Sequence, residues 1–563
     1  MQSRRGVILV VVLVVIVMLT LSVFVFSRFM QAQRRVTDTA LRQTQVRLLN
    51  ESGIEYLRIM LFLDQYTILA LGGLYDNPDE FCGHIITDGT TSMYGNDAGT
   101  QAALGVVDPY STGRFSIIAP GLSEEGLFTG ETFRYGIEDE SSKINLRWIL
   151  QMDIQMPGYG RMILMRLPGV DEVIADSILD WIDDSSDQPR EFGAKDEYYQ
   201  LLNPPYDVRN GLPDSLDELL LVRGVTARLL YGNDWNRNGL IDPGEPDGFS
   251  LDEYLQEDYD VLNGSLNLGL ISYLTLDSRE SIITPDGLTP AGFYYKININ
   301  MEDLDELRAQ LDERFPENPD WANYIISYRQ QANQSQGSND SALGDIISAL
   351  LFGAEGESDG KVNSLFDLVG GQGSPFSDDP FEIEEYMPIL YDNLMLKDTP
   401  SAGRINLNQA PRTVLELLAA RDDELTDTAA LLGEGADALL GTALMQIDVQ
   451  EIIERILEER ICDPAQIALE APEMNYPFWI YTHGIVPDLE TMRQLEPYFC
   501  TQGAVFKATV ISRFDEKSPV SRVEVWLDAS EGTGLPKIIR IRDISDLGPG
   551  YSAELLGADT YVR

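Results

Sequence analysis

Apolar residues run almost unbroken from Val7 to Phe26, "VILVVVLVVIVMLTLSVFVF". At 1.5 Å per residue such a run makes a helix of about 30 Å, the thickness of a bilayer core. Beyond it, Val46, Leu49, Leu57, Met60 and Leu61 recur at helical spacing, which predicts that the helix continues to about residue 72. Asn77 to Gly130 is rich in Gly, Asp, Thr and Ser and reads as loops and short strands. A β-biased stretch follows from Phe133 to Leu150. Its "KINL" returns as "KININ" at Lys296 and "RINLN" at Arg404, predicting strands that enter successive helical units.

Between these strands the period changes to that of helices. After the turn Leu167-Pro168-Gly169, one face carries Val173, Ile174, Ile178 and Ile182. "DSLDELLLVRGV" predicts a helix opened by a Ser215–Glu218 capping box and stopped at Gly224. Pro411 falls in the first turn of another helix. Residues 330–340 and 370–380 read as Gly/Ser-rich linkers around the apolar "ALGDIISALLFG". Near the end, "FKATVISRF" and "SRVEVWLDA" alternate as paired strands.

Charge narrows the function. The 563 residues hold 41 basic and 91 acidic side chains, a net −50, which repels phosphate backbones and excludes nucleic acid as a partner. His84 and His483 are the only histidines, too few for a multi-histidine zinc site and for most histidine-based catalysis. Of the three cysteines, Cys462 and Cys500 form a bridge in an oxidising compartment, or all three are separate buried thiols.

"DWNRNGLIDPGE", Asp234 to Glu245, has oxygen-bearing residues at the spacing of an EF-hand calcium loop, with glycine at position six. The expected ligands are Asp234, Asn236, Asn238, the Leu240 carbonyl, Asp242 and Glu245. Pro243 and Pro246 block an exit helix, so calcium is expected to clamp rather than switch. A second acidic group, Asp180, Asp183, Asp184, Asp187, Asp196 and Glu197, is either another metal site or a solvated loop.

The N-terminal "MQSRRG" puts Arg4 and Arg5 before the apolar run, the side that stays cytoplasmic. No small residues follow Phe26, against a secretory signal peptide. A plain signal anchor and a pilin-type leader cut between Gly6 and Val7 remain. Val11 stands five residues after that cut.

Several stretches together carry a family resemblance: "RRG" before the apolar helix, "DESSKINL", "ADSILDWIDDSSDQPREFGAKDEYY", "PPYDVRNGLPDSLDELLLVRGVT" and "GRINLNQAP". With them the chain, from Met1 to about Ala420, resembles the protein K family of the general secretory pathway, the large minor pseudopilins of type II secretion. The resemblance implies an α+β fold: a long N-terminal transmembrane helix, a pilin-like α/β scaffold, and a large inserted helical domain of SAM-like or helix-hairpin-helix-like type. The expected divisions are leader 1–6, span 7–27, α/β part 73–150, inserted helical domain 151–400, second helical part 401–500 and C-terminal strands 501–563. It implies no enzymatic activity, and a single-pass inner-membrane protein with a periplasmic body, processed by a prepilin peptidase. It further implies partnership with the I- and J-type minor pseudopilins and the pseudopilus core, and calcium in the inserted domain, which favours metal at the second acidic group. Most pilins and pseudopilins carry glutamate where Val11 stands, whereas the resembled family typically lacks it. This chain is longer than most relatives. A minor pilin of a type IV pilus and a membrane-anchored calcium-dependent enzyme, with acid pairs such as Asp183 and Asp184, are the alternative readings.

Overall fold

The computed structural model describes residues 3–85, 113–123, 126–155, 157–234, 236–240, 268–289, 292–334, 361–371, 373–397, 403–417, 449–514, 518–532 and 534–557. Helix α1, Ser3–Met60, is the one helix among them long and apolar enough to cross a membrane. Its described residues stay exposed from Val10 to Leu41, and its last four turns bury Val46, Ile54, Leu57 and Met60. Close approach needs Gly53: a Cβ there would lie 2.7 Å from Val510. The helix ends earlier than its apolar spacing suggests, because Asp64 accepts the Thr67 amide at 3.0 Å and starts a separate helix, Gln65–Ala70.

The sheet beneath α1 is built from both ends of the sequence. Four strands precede the helical region: β1 His84–Ile85, β2 Arg114–Leu122, β3 Phe128–Arg134 and β4 Glu138–Asp139. Three follow it: β5 Val505–Arg513, β6 Ser521–Asp528 and β7 Lys537–Asp543. All pair antiparallel in the order β1-β2-β5-β6-β7, with β3 on β2 and β4 on β5. Ile117 faces Val510 across β2 and β5, and Val510 faces Val523 across β5 and β6. These residues and Phe115 and Val525 form one apolar layer with Ile54, Leu57 and Met60 of α1. The β5–β6 hairpin is the one the alternation predicts.

The described residues between β4 and β5 are organised by the recurring Ile-Asn pair. Ile144–Asn145 pairs parallel with Leu274–Thr275, Ile297–Asn298 with Leu394–Met395, and Ile405–Asn406 with Phe499–Cys500. Each pairing closes one helical unit, and each asparagine folds back onto the chain. Asn145 Oδ1 accepts the Arg147 amide at 2.9 Å, Asn298 Oδ1 that of Asn300 at 2.8 Å, and Asn406 Oδ1 that of Asn408 at 3.0 Å. The three units share one apolar core that includes Ile144, Ile178, Trp181, Ile297, Phe366, Ile405 and Trp479.

Local expectations fared unevenly. Helix Glu172–Ile182 forms as its periodicity predicts, with Asp171 accepting the Ile174 amide at 2.8 Å. The capping box does not form. Ser215 caps a 3-10 helix, Leu216–Leu221, through the Asp217 amide, while Glu218 accepts from Trp181 Nε1 at 3.1 Å and Arg209 Nη1 at 2.7 Å. Nor is 370–380 a loose linker: Phe376 is buried, and its carbonyl accepts the Gly370 amide at 2.9 Å. "ALGDIISALLFG" lies outside the described residues.

Candidate calcium loop and the junctions around it

The loop begins where helix Ala227–Tyr231 stops at Gly232. Asp234 is buried, and its carboxylate accepts the amides of Asn238 at 3.0 Å and Gly239 at 2.7 Å. Those bonds curl the backbone back on itself, with Arg237 and Gly239 in the left-handed region at φ 56° and 71°. Asn238 Oδ1 accepts the Leu240 amide at 2.8 Å. Asp242 and Glu245 lie outside the described residues. What is present suits calcium: the described donors are oxygens, the first acid is held by amides, and glycine makes the turn at position six.

The curled half of the loop is docked on the sheet. Arg522 on β6, fully buried, donates to the carbonyls of Asn236 at 2.9 Å and Arg237 at 2.7 Å. Asn238 Nδ2 donates to the Gly550 carbonyl at 2.7 Å, and the Tyr551 hydroxyl donates to the Asn238 carbonyl. Leu240 packs beside Ile118, Ile511 and Tyr551. Behind the loop Asp217 accepts from Tyr231 at 2.6 Å and pairs with Arg542 of β7 at 2.6 Å. The motif with the spacing of a calcium loop is thus also the seam between the first helical unit and the C-terminal strands.

The second acidic group centres on Arg190. Its guanidinium meets Asp180 at 2.9 Å, Asp183 at 2.9 Å and Asp153, an acid the sequence reading did not include, at 2.8 Å. Asp176 forms a two-pronged pair with Arg161, both bonds 2.7 Å. Asp196 instead accepts the Val208 amide at 2.8 Å, and Asp184, Asp187 and Glu197 are exposed. Among the described residues no three His, Cys, Asp or Glu side chains are grouped to hold a metal. An arginine is the shared cation here.

Burial raises the Asp180 pKa against the pull of Arg190. Burial acts likewise on Asp183, but the Ser185 and Arg190 hydrogen bonds outweigh it and hold that carboxyl below its usual range. A carboxylate depressed on folding stabilises above its unfolded pKa and loses that contribution as pH falls through the folded value. Asp183→Asn should therefore lower the urea midpoint at about pH 6, and the gap from wild type should close toward about pH 3. A constant gap would locate the effect in shape rather than charge.

A third constellation joins all units to the sheet. The buried Asp139 carboxylate accepts from the amides of Ser141 at 2.8 Å and Gly503 at 2.7 Å and from Asn406 Nδ2 at 2.8 Å. Lys143 pairs with Glu140 at 2.8 Å and Glu138 at 3.1 Å. Arg404 pairs with Glu496 at 2.7 Å and Glu280 at 3.2 Å, and Tyr391 donates to Glu496 at 2.9 Å. Lys296, the equivalent residue of the second unit, is pushed down by burial against the charges of Glu280 and Asp392. Every Ile-Asn strand is thus preceded by a basic residue set among acids at the junction.

The proposed Cys462–Cys500 bridge is not formed; Cys82, Cys462 and Cys500 are free thiols. Cys500 sits buried in the third parallel pairing with its Sγ 3.7 Å from the Arg404 carbonyl, whereas Cys462 precedes Asp463, the cap of helix Pro464–Glu470. Burial pushes the Cys500 thiol well above its ordinary pKa, which keeps it protonated and unreactive.

A family match falls within the first unit. Residues 142–231 match the family described as type II secretion system (T2SS), protein K. The chain is also similar to the type II secretion system protein K of Aeromonas hydrophila, 46% identical over 56 residues, which cover 10% of this chain and 17% of that relative. No solved structure matches the chain. The matched segment opens at Ser142, runs through Lys143, Ile144 and the Arg190 network, and ends at Tyr231, just before the candidate calcium loop; over that segment the chain is similar to the type II secretion system protein K family.

Proposed function

We propose that this chain is a minor pseudopilin of a type II secretion system, which caps the pseudopilus tip and helps initiate its assembly for export of folded proteins. One observation carries the reading. A sheet drawn from both ends of the sequence packs on the last turns of α1, leaving the apolar remainder of that helix bare among the described residues, while the described residues between 144 and 500 form a body between its strands. A bare apolar helix suits first a bilayer and then a bundle of like helices, and so large a body obstructs a subunit stacked above it. Val11 fits the tip position. The glutamate most pilins carry there is thought to pair with the N-terminal amine of an older neighbour, and a first subunit has none.

The body would lie in the periplasm, anchored in the inner membrane by Val7–Phe26 after a prepilin peptidase cuts between Gly6 and Val7. N-terminal sequencing of membrane-extracted protein should begin at Val7; a start at Met1 or near Arg28 would refute the pilin-type leader. The chain should form a defined complex with the I- and J-type minor pseudopilins. Filaments of the purified chain alone, or indifference to both partners at high micromolar concentration, would overturn the tip model. Purification with pilus subunits instead would favour the type IV reading.

Calcium would be held by Asp234, Asn236, Asn238, the Leu240 carbonyl, Asp242 and Glu245, and it would stiffen the seam onto β6. With Asp234, Asp242 and Glu245 as the charged ligands, modest affinity follows, suited to an extracytoplasmic supply. Calorimetry should detect calcium binding that Glu245→Ala abolishes. A thermal midpoint unaffected by calcium would sink the clamp.

A further inference from the structure

Formal charge is divided sharply along the chain. No Asp or Glu occurs before Asp38, so all 91 acids lie beyond the apolar run, while Arg28, Arg34 and Arg35 stand in the first turns of α1 past Phe26. These three arginines are exposed among the described residues, well before the buried face of α1 that begins at Val46. They also lie on the side where orientation rules disfavour arginine.

Their geometry points back toward the span. The Arg28 guanidinium lies 5.3 Å from the centre of the Phe24 ring, one turn nearer the apolar segment. Helical side chains lean toward the N-terminus, so Arg34 and Arg35 lean the same way. By helical rise the three Cα atoms sit about 3 to 14 Å beyond Phe26. A headgroup layer is about 5–8 Å deep and charge is felt for roughly another 8 Å, so all three guanidinium groups lie within reach of lipid phosphates. Arg42, about four turns on from Arg28, is engaged differently: its guanidinium lies 5.7 Å from the Phe514 ring of the β5–β6 connection.

Resting on the reading that Val7–Phe26 crosses the bilayer, we propose that Arg28, Arg34 and Arg35 form a binding site for anionic phospholipid headgroups of the leaflet from which the body emerges. The occupant follows from charge and position together. A body carrying all 91 acids is repelled by an anionic surface, and this cationic collar, continuous with the span, offsets that repulsion where lipid phosphates are dense. The collar would hold α1 at a fixed depth, so that leaving the bilayer means breaking a set of arginine–phosphate contacts as well as moving the apolar run.

The test uses the full chain reconstituted into nanodiscs of mixed phosphatidylcholine and phosphatidylglycerol, with the lipids retained after mild detergent release counted by native mass spectrometry. Wild type should retain phosphatidylglycerol over phosphatidylcholine, and Arg28→Gln/Arg34→Gln/Arg35→Gln should lose that preference, on the order of several-fold for each arginine removed. Arg42→Gln should keep it. Flotation with pure phosphatidylcholine vesicles separates the two hypotheses. If wild type and the triple variant both float but retain the two lipids alike, the collar site is wrong and the span stands. If neither floats, the membrane reading itself fails. A preference that survives in the triple variant, or disappears in Arg42→Gln alone, would also overturn the collar.

Discussion

Arg404→Ala is expected to destabilise the chain by about 3–5 kcal/mol, because it leaves the buried carboxylate of Glu496, and beside it the partly buried one of Glu280, without their cation. Glu496 is 1% exposed and already accepts from Tyr391, so solvent cannot replace the guanidinium. The same arginine donates to the Glu496 main-chain carbonyl at 2.7 Å, tying the start of the third unit to its end. Urea unfolding of the detergent-solubilised chain should show a lower midpoint. Arg404→Met combined with Glu496→Gln should recover part of the loss, since removing both charges removes the uncompensated one. If the double variant is no better than Arg404→Ala, the loss comes from packing and not from stranded charge. Arg404→Lys should restore less than a conservative change suggests, because one ammonium cannot hold Glu280, Glu496 and a carbonyl in the guanidinium's planar geometry.

That junction also explains how much of the fold could be read in advance. The three basic-Ile-Asn recurrences were visible because each place makes the same demand: a cation set among acids, an apolar strand residue and an asparagine that bonds its own backbone. Their partners were not visible. Leu274–Thr275, Leu394–Met395 and Phe499–Cys500 are two-residue strands with no alternation to detect, and only position makes them strands. The β5–β6 hairpin was legible because its residues are local. The pairing of β2 with β5 was not, since Ile117 and Val510 are roughly 390 residues apart and no periodicity reports a contact at such separation. Among the candidate sites, the oxygen spacing of Asp234 to Glu245 marked the loop. It carried no sign that Arg522, nearly 300 positions later, docks that loop on the sheet. The acid run at Asp180–Glu197 was readable as acid. Its organisation around Arg190 was hidden because Asp153 enters from a different helix.

Arg522→Ala should open the seam between the first unit and the sheet. Arg522 is 0% exposed and supplies donors to the carbonyls of Asn236, Arg237 and, at 3.3 Å, Gly548. Losing those bonds leaves buried acceptors whose desolvation is no longer repaid, about 1–3 kcal/mol for each, and vacates the space beneath Gly550, where a Cβ would already lie 2.7 Å from Nη1. A total loss of about 3–5 kcal/mol follows, within the range for single changes that break a buried network. The damage should be local first. Amides of Asn238, Gly239 and Leu240, held by Asp234 and Asn238, should exchange faster than those of β5, which stay paired on both sides. Calcium supplies a second readout. If the loop is a clamp, calcium affinity should fall in Arg522→Ala even though Arg522 is not a ligand, because the ion would have to order a loop the sheet no longer orders. Unchanged affinity together with a lowered midpoint would separate the two roles: the loop would bind its ion unaided, and Arg522 would serve the seam alone.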